Sequence, residues 1–206
     1  MTLPGATLFP QGLLRLHIFE PRYRRMLAEA LDGHRMFLVA MQKPGASRES
    51  PLPVGGLGLI RMSVSHPDGT SHLLLQGLVR AELTEVVRYK PYRLQRIRPL
   101  ATPPCDNVRV DALVAKVREL LEERLELDLP FGGPSLAVPF ASKDVLGYLD
   151  SLTNPEHAAD WVSFAVLPRA EERQALLETV DVETRLRRLI YFLLAELRDQ
   201  RKNSQP

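Results

Sequence analysis

Apart from one helical stretch at 23–31, the apolar residues of this chain keep one period up to a cluster of prolines and another beyond it. Up to Leu100 hydrophobic side chains mostly recur at every second residue, whereas beyond Thr102-Pro103-Pro104 they recur at intervals of three and four. The first period is that of a strand with one wet face and the second that of a helix with one buried face. A single switch segregates the two kinds of element, which makes an α+β fold rather than the alternation that builds a parallel sheet. The sequence therefore predicts a β-rich part over residues 1–104 and an α-helical part over residues 105–206.

Within the first part, Leu14, Leu16 and Ile18 alternate with Arg15 and His17 as a strand. Glu20-Pro21 ends it, because proline holds the residue before it extended and suits the first position of a helix. Tyr23, Met26, Leu27, Ala30 and Leu31 then mark one buried helical face, closed by Asp32-Gly33. Further strands are expected over 36–41, 57–66, 73–76, 79–87 and 92–97, with Pro67-Asp68-Gly69 as a hairpin turn. The apolar phase slips between Leu59 and Ile60, which predicts a bulge. The stretch KPGASRESPLPVGG at 43–56 reads as an exposed, mobile loop. In the second part, Asp106 or Asn107, Ser142, Asn154-Pro155 and Asp181 supply helix starts, with a short helix near 171–178.

Chemistry is sparse. The 206 residues carry a formal net charge of only +2, so bulk charge demands neither nucleic acid nor membrane. Cys105 is the single cysteine, which excludes an intramolecular disulfide and a thiolate metal cluster. The N-terminus lacks a signal-peptide pattern and the uncharged run at 129–142 is broken by proline and glycine, so a cytoplasmic, membrane-free protein is expected. No phosphate-cradling glycine motif or serine elbow occurs, and no cofactor is expected. His66, Asp68 and His72 flank the hairpin turn, but without a fourth ligand they read as turn polarity rather than a metal site.

One local signal has a partner in view. The segment RYKPYRLQRIR at 88–98 holds five basic residues and two tyrosines with no acid, which suits phosphate contact with stacking on bases. Arg93, Arg96 and Arg98 are its candidate contacts, against the plainer reading of a charged sheet edge that resists association.

The stretch LFPQGLLRLHIFEPRYRRMLAEAL at 8–31 resembles the start of the N-terminal substrate-binding domain of the ATP-dependent Lon protease family. The likeness continues through 55–60, LLLQGLVRAELTEV at 73–86, PYRLQRIRPL at 91–100 and ADWVSFAVLPRAEERQALLETVDVETRLRRLIYFL at 159–193. Family members often carry glycine where Gln11 stands and proline where Arg15 stands. The resemblance implies a PUA-like β-barrel followed by a helical bundle, and a role in binding polypeptide without catalysis, since neither an ATPase nor a peptidase module is found in these residues. An unfolded polypeptide or a protein partner held in a groove between the two parts is the expected ligand, with Phe19, Arg22, Tyr23 and Arg80 as candidate contacts. RNA binding through the basic segment is the alternative, and an enzyme ranks last.

Overall fold

The computed structural model describes residues 1–46, 48–127, 129 and 142–203. The chain divides into two compact units, Met1–Ala101 and the described residues from Thr102 onward. Residues 130–141 of the uncharged run noted above and the side chain of the expected cap Ser142 lie outside the described residues.

The first unit is a mixed, mainly antiparallel sheet with one helix. Its elements are β1 (Thr2–Leu3), β2 (Leu13–Ile18), α1 (Pro21–Asp32), β3 (Met36–Met41), β4 (Val54–Ser65), β5 (Ser71–Arg88) and β6 (Leu94–Pro99). The ladder runs β1-β3-β4-β5-β2, and β6 adds to β5 beyond β2. Two expected strands, 73–76 and 79–87, are therefore one long strand, since Gly77 does not break it. Long β5 carries β4 along one edge and has β2 and then β6 along the other. Among the described residues the ladder does not close, so the expected complete barrel is an open sheet.

Glycine at two sheet positions has a steric cause. A Cβ built on Gly56 would lie 1.9 Å from the carbonyl oxygen of Leu8, and one on Gly77 would lie 1.9 Å from that of Phe9. The segment before β2 thus crosses directly against the sheet. Gln11 N donates to Gly77 O at 2.9 Å, and Gly77 N donates to Gly12 O at 2.8 Å. Gln11 sits at φ 63, in the left-handed region that glycine enters most easily. Leu8 then reaches a core made with Leu14, Ile18, Tyr23, Leu27, Val39, Ile60 and Leu75.

The bulge is present as a register shift between Ile60 and Met62, with a second shift between Leu57 and Gly58. Past it, Met62 and Val64 turn outward and are exposed, because the extra residue reverses which face the apolar positions occupy. The loop is shorter than the composition of 43–56 suggests. Strand β4 begins at Val54, and before it Leu52 N donates to Met41 O while Lys43 N donates to Ser50 O, which ties the loop to the strand before it. At the hairpin, Gly69 adopts φ +79 and Asp68 accepts hydrogen bonds from Thr70 N and Oγ1.

The second unit is helical: α2 (Asn107–Glu126), α3 (Ser142–Ser151), α4 (Pro155–Ala165), α5 (Ala170–Glu178) and α6 (Val182–Asn203). Asp106 caps α2 by accepting from Val108 N and Arg109 N, Asn154 caps α4 through Glu156 N, and Asp181 accepts from Thr184 N. Helix α6 packs on α2, α4 and α5. Three arginines are buried in this unit. Arg185 donates to Asp160 at 2.7 Å and to the carbonyls of Thr179 and Val180, and Arg124 forks onto Glu196. Arg173 donates to the carbonyls of Leu167 and Pro168, where α4 gives way to α5.

This packing sets the expected effect of three substitutions. Gly77→Ala is expected to cost more than about 2 kcal/mol in urea unfolding, because the added carbon meets backbone that cannot withdraw. Gly147→Ala in α3 has open space around it and is expected to gain about 0.5–1 kcal/mol. Asp160→Ala removes the 2.7 Å carboxylate partner of the buried Arg185, leaving Glu156 at 3.4 Å, and is expected to cost about 3–5 kcal/mol, with part recovered by replacing Arg185 with Met as well. A double variant whose cost equals the sum of the Asp160→Ala and Arg185→Met costs would show that the pair is not coupled.

Candidate site in the first unit

Strands β3 and β6 both flank the β4-β5 hairpin and do not pair with each other. Between them lies a cavity of about 560 Å³. Its apolar walls come from Met26 and Ala30 of α1, Met36, Phe37 and Leu38 of β3, Leu57 and Leu83 from the hairpin, and Leu94 and Ile97 of β6. Leu83 and Ile97 are direct cross-strand partners, so the cavity takes the same face of β5 and β6. Concave, mostly apolar sites with a few polar groups are where ligands are usually held.

The polar groups are Glu29, His34, Arg88, Tyr92, Arg93 and Gln95. Tyr92 Oη donates to the Glu29 carboxylate, Arg25 Nε donates to it at 3.1 Å, and Arg88 lies 3.8 Å from it and 5.1 Å over the Tyr92 ring. The hydrogen bond from Tyr92, then that from Arg25, hold the Glu29 carboxyl below the usual carboxylate range. Burial, with the Glu29 carboxylate beside it, pushes the Tyr92 hydroxyl up. Arg93 Nη2 donates to Glu49 O at 2.7 Å, and the Arg93 guanidinium lies 5.0 Å over Tyr89. Two side-chain atoms here are shielded from solvent and bond to nothing in the protein: Arg93 Nε and Gln95 Oε1.

The four residues first singled out for polypeptide do not come together here. Tyr23 is buried, and its hydroxyl donates to Thr2 O at 3.0 Å and accepts from Thr2 N at 3.2 Å. Arg80 is buried with its guanidinium 5.7 Å over Phe9. Arg22 lies 4.4 Å over the Tyr23 ring, donates to Glu20 at 2.8 Å and also pairs with Glu49. Phe19 is 59% exposed, beside His17, and does not plug the sheet.

In the basic segment Arg96 pairs with Glu85 at 3.1 Å and Arg98 with Glu82, both acids belonging to β5. Those acids fall outside the window that looked acid-free. The cavity residues Tyr92, Leu94, Gln95 and Ile97 are uncharged members of that same segment, and the alternation of Gln95 and Ile97 with Arg96 and Arg98 was the available signal. At the hairpin His66 Nε2 lies 2.7 Å from His72 Nδ1 and His72 stacks on His17, yet among the described residues no group of three or more His, Cys, Asp or Glu could hold a metal ion. No described helix is long and apolar enough to cross a membrane.

Comparison with known proteins bears on this arrangement. A family model described as the ATP-dependent protease La (LON) substrate-binding domain matches residues 1–195. A Lon protease of Trichlorobacter lovleyi is 31% identical over 202 residues, covering 95% of this chain and 23% of the relative. A Lon protease of Dictyoglomus thermophilum is 26% identical, covering 96% and 24%. The chain thus spans about a quarter of the length of these curated relatives. Among solved structures, the N-terminal domain of a Mycobacterium avium complex Lon protease superposes with TM-score 0.71 at 20% identity, over 94% of this chain and 95% of that one. A Lon N-terminal domain protein from Xanthomonas campestris gives 0.59 at 20% identity, over 93% and 96%.

Removing the Tyr92 hydroxyl tests the polar rim. In Tyr92→Phe the Glu29 carboxyl is expected to titrate closer to its ordinary value of 4.5, read from its side-chain carbonyl resonance across a pH series. A carboxyl held low in the folded state stabilises it above the unfolded value, and that contribution is lost as pH falls through the folded one. The stability difference between native chain and variant is therefore expected to shrink below about pH 4.5.

Proposed function

Because the chain belongs to the ATP-dependent protease La (LON) substrate-binding domain family, we propose that it is a non-catalytic module that recognises polypeptide, with exposed apolar stretches of unfolded proteins as its ligands. The observation that carries this reading is the cavity between β3 and β6, whose walls are mostly apolar with a few polar groups among them. Such a surface holds hydrophobic side chains with little demand on sequence, as a recognition module for many clients requires. In this reading the open sheet is a PUA-like barrel with its closure absent between β3 and β6, the helices of the second unit form a bundle, and the protein acts in the cytoplasm. The RNA reading has less support because Arg96 and Arg98 each pair with an acid of the adjacent strand and Arg93 is turned onto Glu49 O and the Tyr89 ring.

Fluorescence anisotropy with labelled, reduced and carboxymethylated lactalbumin tests it, beside the native protein and a labelled single-stranded RNA. Saturable binding to the unfolded chain alone is the expected result. Binding to RNA alone, weakening as salt rises, would overturn it.

A further inference from the structure

We propose that the cavity receives its polypeptide as an added β-strand, paired to the edge of β6 that no described strand occupies, with alternate apolar side chains entering between β3 and β6. This rests on the polypeptide reading above and specifies its geometry.

Strand β6 is laddered to β5 along one edge, and no other described strand pairs with it. In an antiparallel strand alternate backbone N–H and C=O groups point away from the partner, so such an edge is a template for another chain. Two features distinguish this edge from one that repels. The arginines that would guard it, Arg96 and Arg98, are drawn onto Glu85 and Glu82 of β5. The inner face at Leu83 and Ile97 opens into the cavity rather than onto a packed core.

The backbone groups of β6 that no described strand meets select the occupant. An extended segment brings N–H and C=O groups along the strand and can pair with them in register. An apolar small molecule fills the cavity but leaves that edge unpaired, so the occupant this edge selects is an extended backbone. Specificity then resides in the pockets for alternate side chains, as in other recognition by strand addition.

The probe is a short peptide alternating leucine with threonine, prepared as a series with a single backbone N-methyl group moved one residue at a time. Methylation removes a donor without changing the side chain. Affinity is expected to fall about tenfold at alternate positions and about twofold or less between them. Leu94→Asp, at a side chain 42% exposed that the fold tolerates, is expected to weaken the unmethylated peptide about tenfold, with the circular dichroism unchanged. If carboxymethylated lactalbumin binds but the methyl scan shows no alternation, or Leu94→Asp changes nothing, strand addition is wrong and polypeptide recognition stands. If neither the unfolded protein nor the peptide binds, both fall together.

Discussion

The approach of the Leu8–Phe9 backbone to Gly56 and Gly77 is the constraint on which the first unit depends. Two carbonyls occupy the space that a Cβ at either position would need, and Gly77 exchanges hydrogen bonds with the turn at Gln11 and Gly12. That crossing delivers Leu8 to the core from within the sheet rather than from a helix. It also coincides with the register shift at Leu57/Gly58, opposite the stretch where β5 exchanges β2 for β6 on its other edge. Extra residues in one strand increase its local twist. A sheet turned at this point carries β6 away from β2 and leaves β3 and β6 facing each other across a gap, which is the cavity.

The helical unit is held differently, by charges inside it. Arg185 and Asp160 have no more than trace exposure, and Arg124 is buried against Glu196. Removing such groups from water costs several kcal/mol per ion, and their attraction repays it only when geometry is good and remaining donors are met. Arg185 meets that condition, since its other nitrogens reach the carbonyls of Thr179 and Val180 just before α6. Those carbonyls belong to a helix junction and would otherwise need water. The arginine thus fixes where α5 ends and α6 begins, a positional role that an apolar residue of equal volume would not fill.

Local grammar was legible and long-range pairing was not. Pro21, Asp106, Asn154 and Asp181 mark helix starts because a cap or a fixed φ acts within three residues. The switch of period near Pro104 separates strands from helices for the same reason. Strand β5 was misread because Gly77 looks like a break, whereas its meaning lies in Phe9, sixty-eight residues earlier in the chain. Asp160 and Arg185, or Arg96 and Glu85, carry no mark in sequence that they meet. Phe19 and Tyr23 drew attention as aromatics near a joint, yet one is exposed and the other is spent on the backbone of Thr2. The cavity escaped because its walls come from one helix and four strands, each contributing residues that look like ordinary core.

The size of the cavity limits how it can recognise a ligand. A volume near 560 Å³ admits only a few side chains. Burying one large apolar side chain is worth about 1.5–3 kcal/mol, while association costs at least about 4 kcal/mol in lost freedom. Side chains alone would then leave affinity weak, and any grip on an unfolded segment has to come partly from groups that every polypeptide shares. Backbone amides are those groups. A surface that reads amides along an edge and tests side chains only for being apolar gains affinity without narrowing its clients. The Glu29–Tyr92–Arg88 cluster supports this at one end of the cavity, where a satisfied ion pair and a stacked ring keep the wall in place without offering a free charge to the ligand. In the proposed reading, the apolar walls and the β6 edge without a described partner answer one physical requirement: to hold a chain by what it has in common with all others.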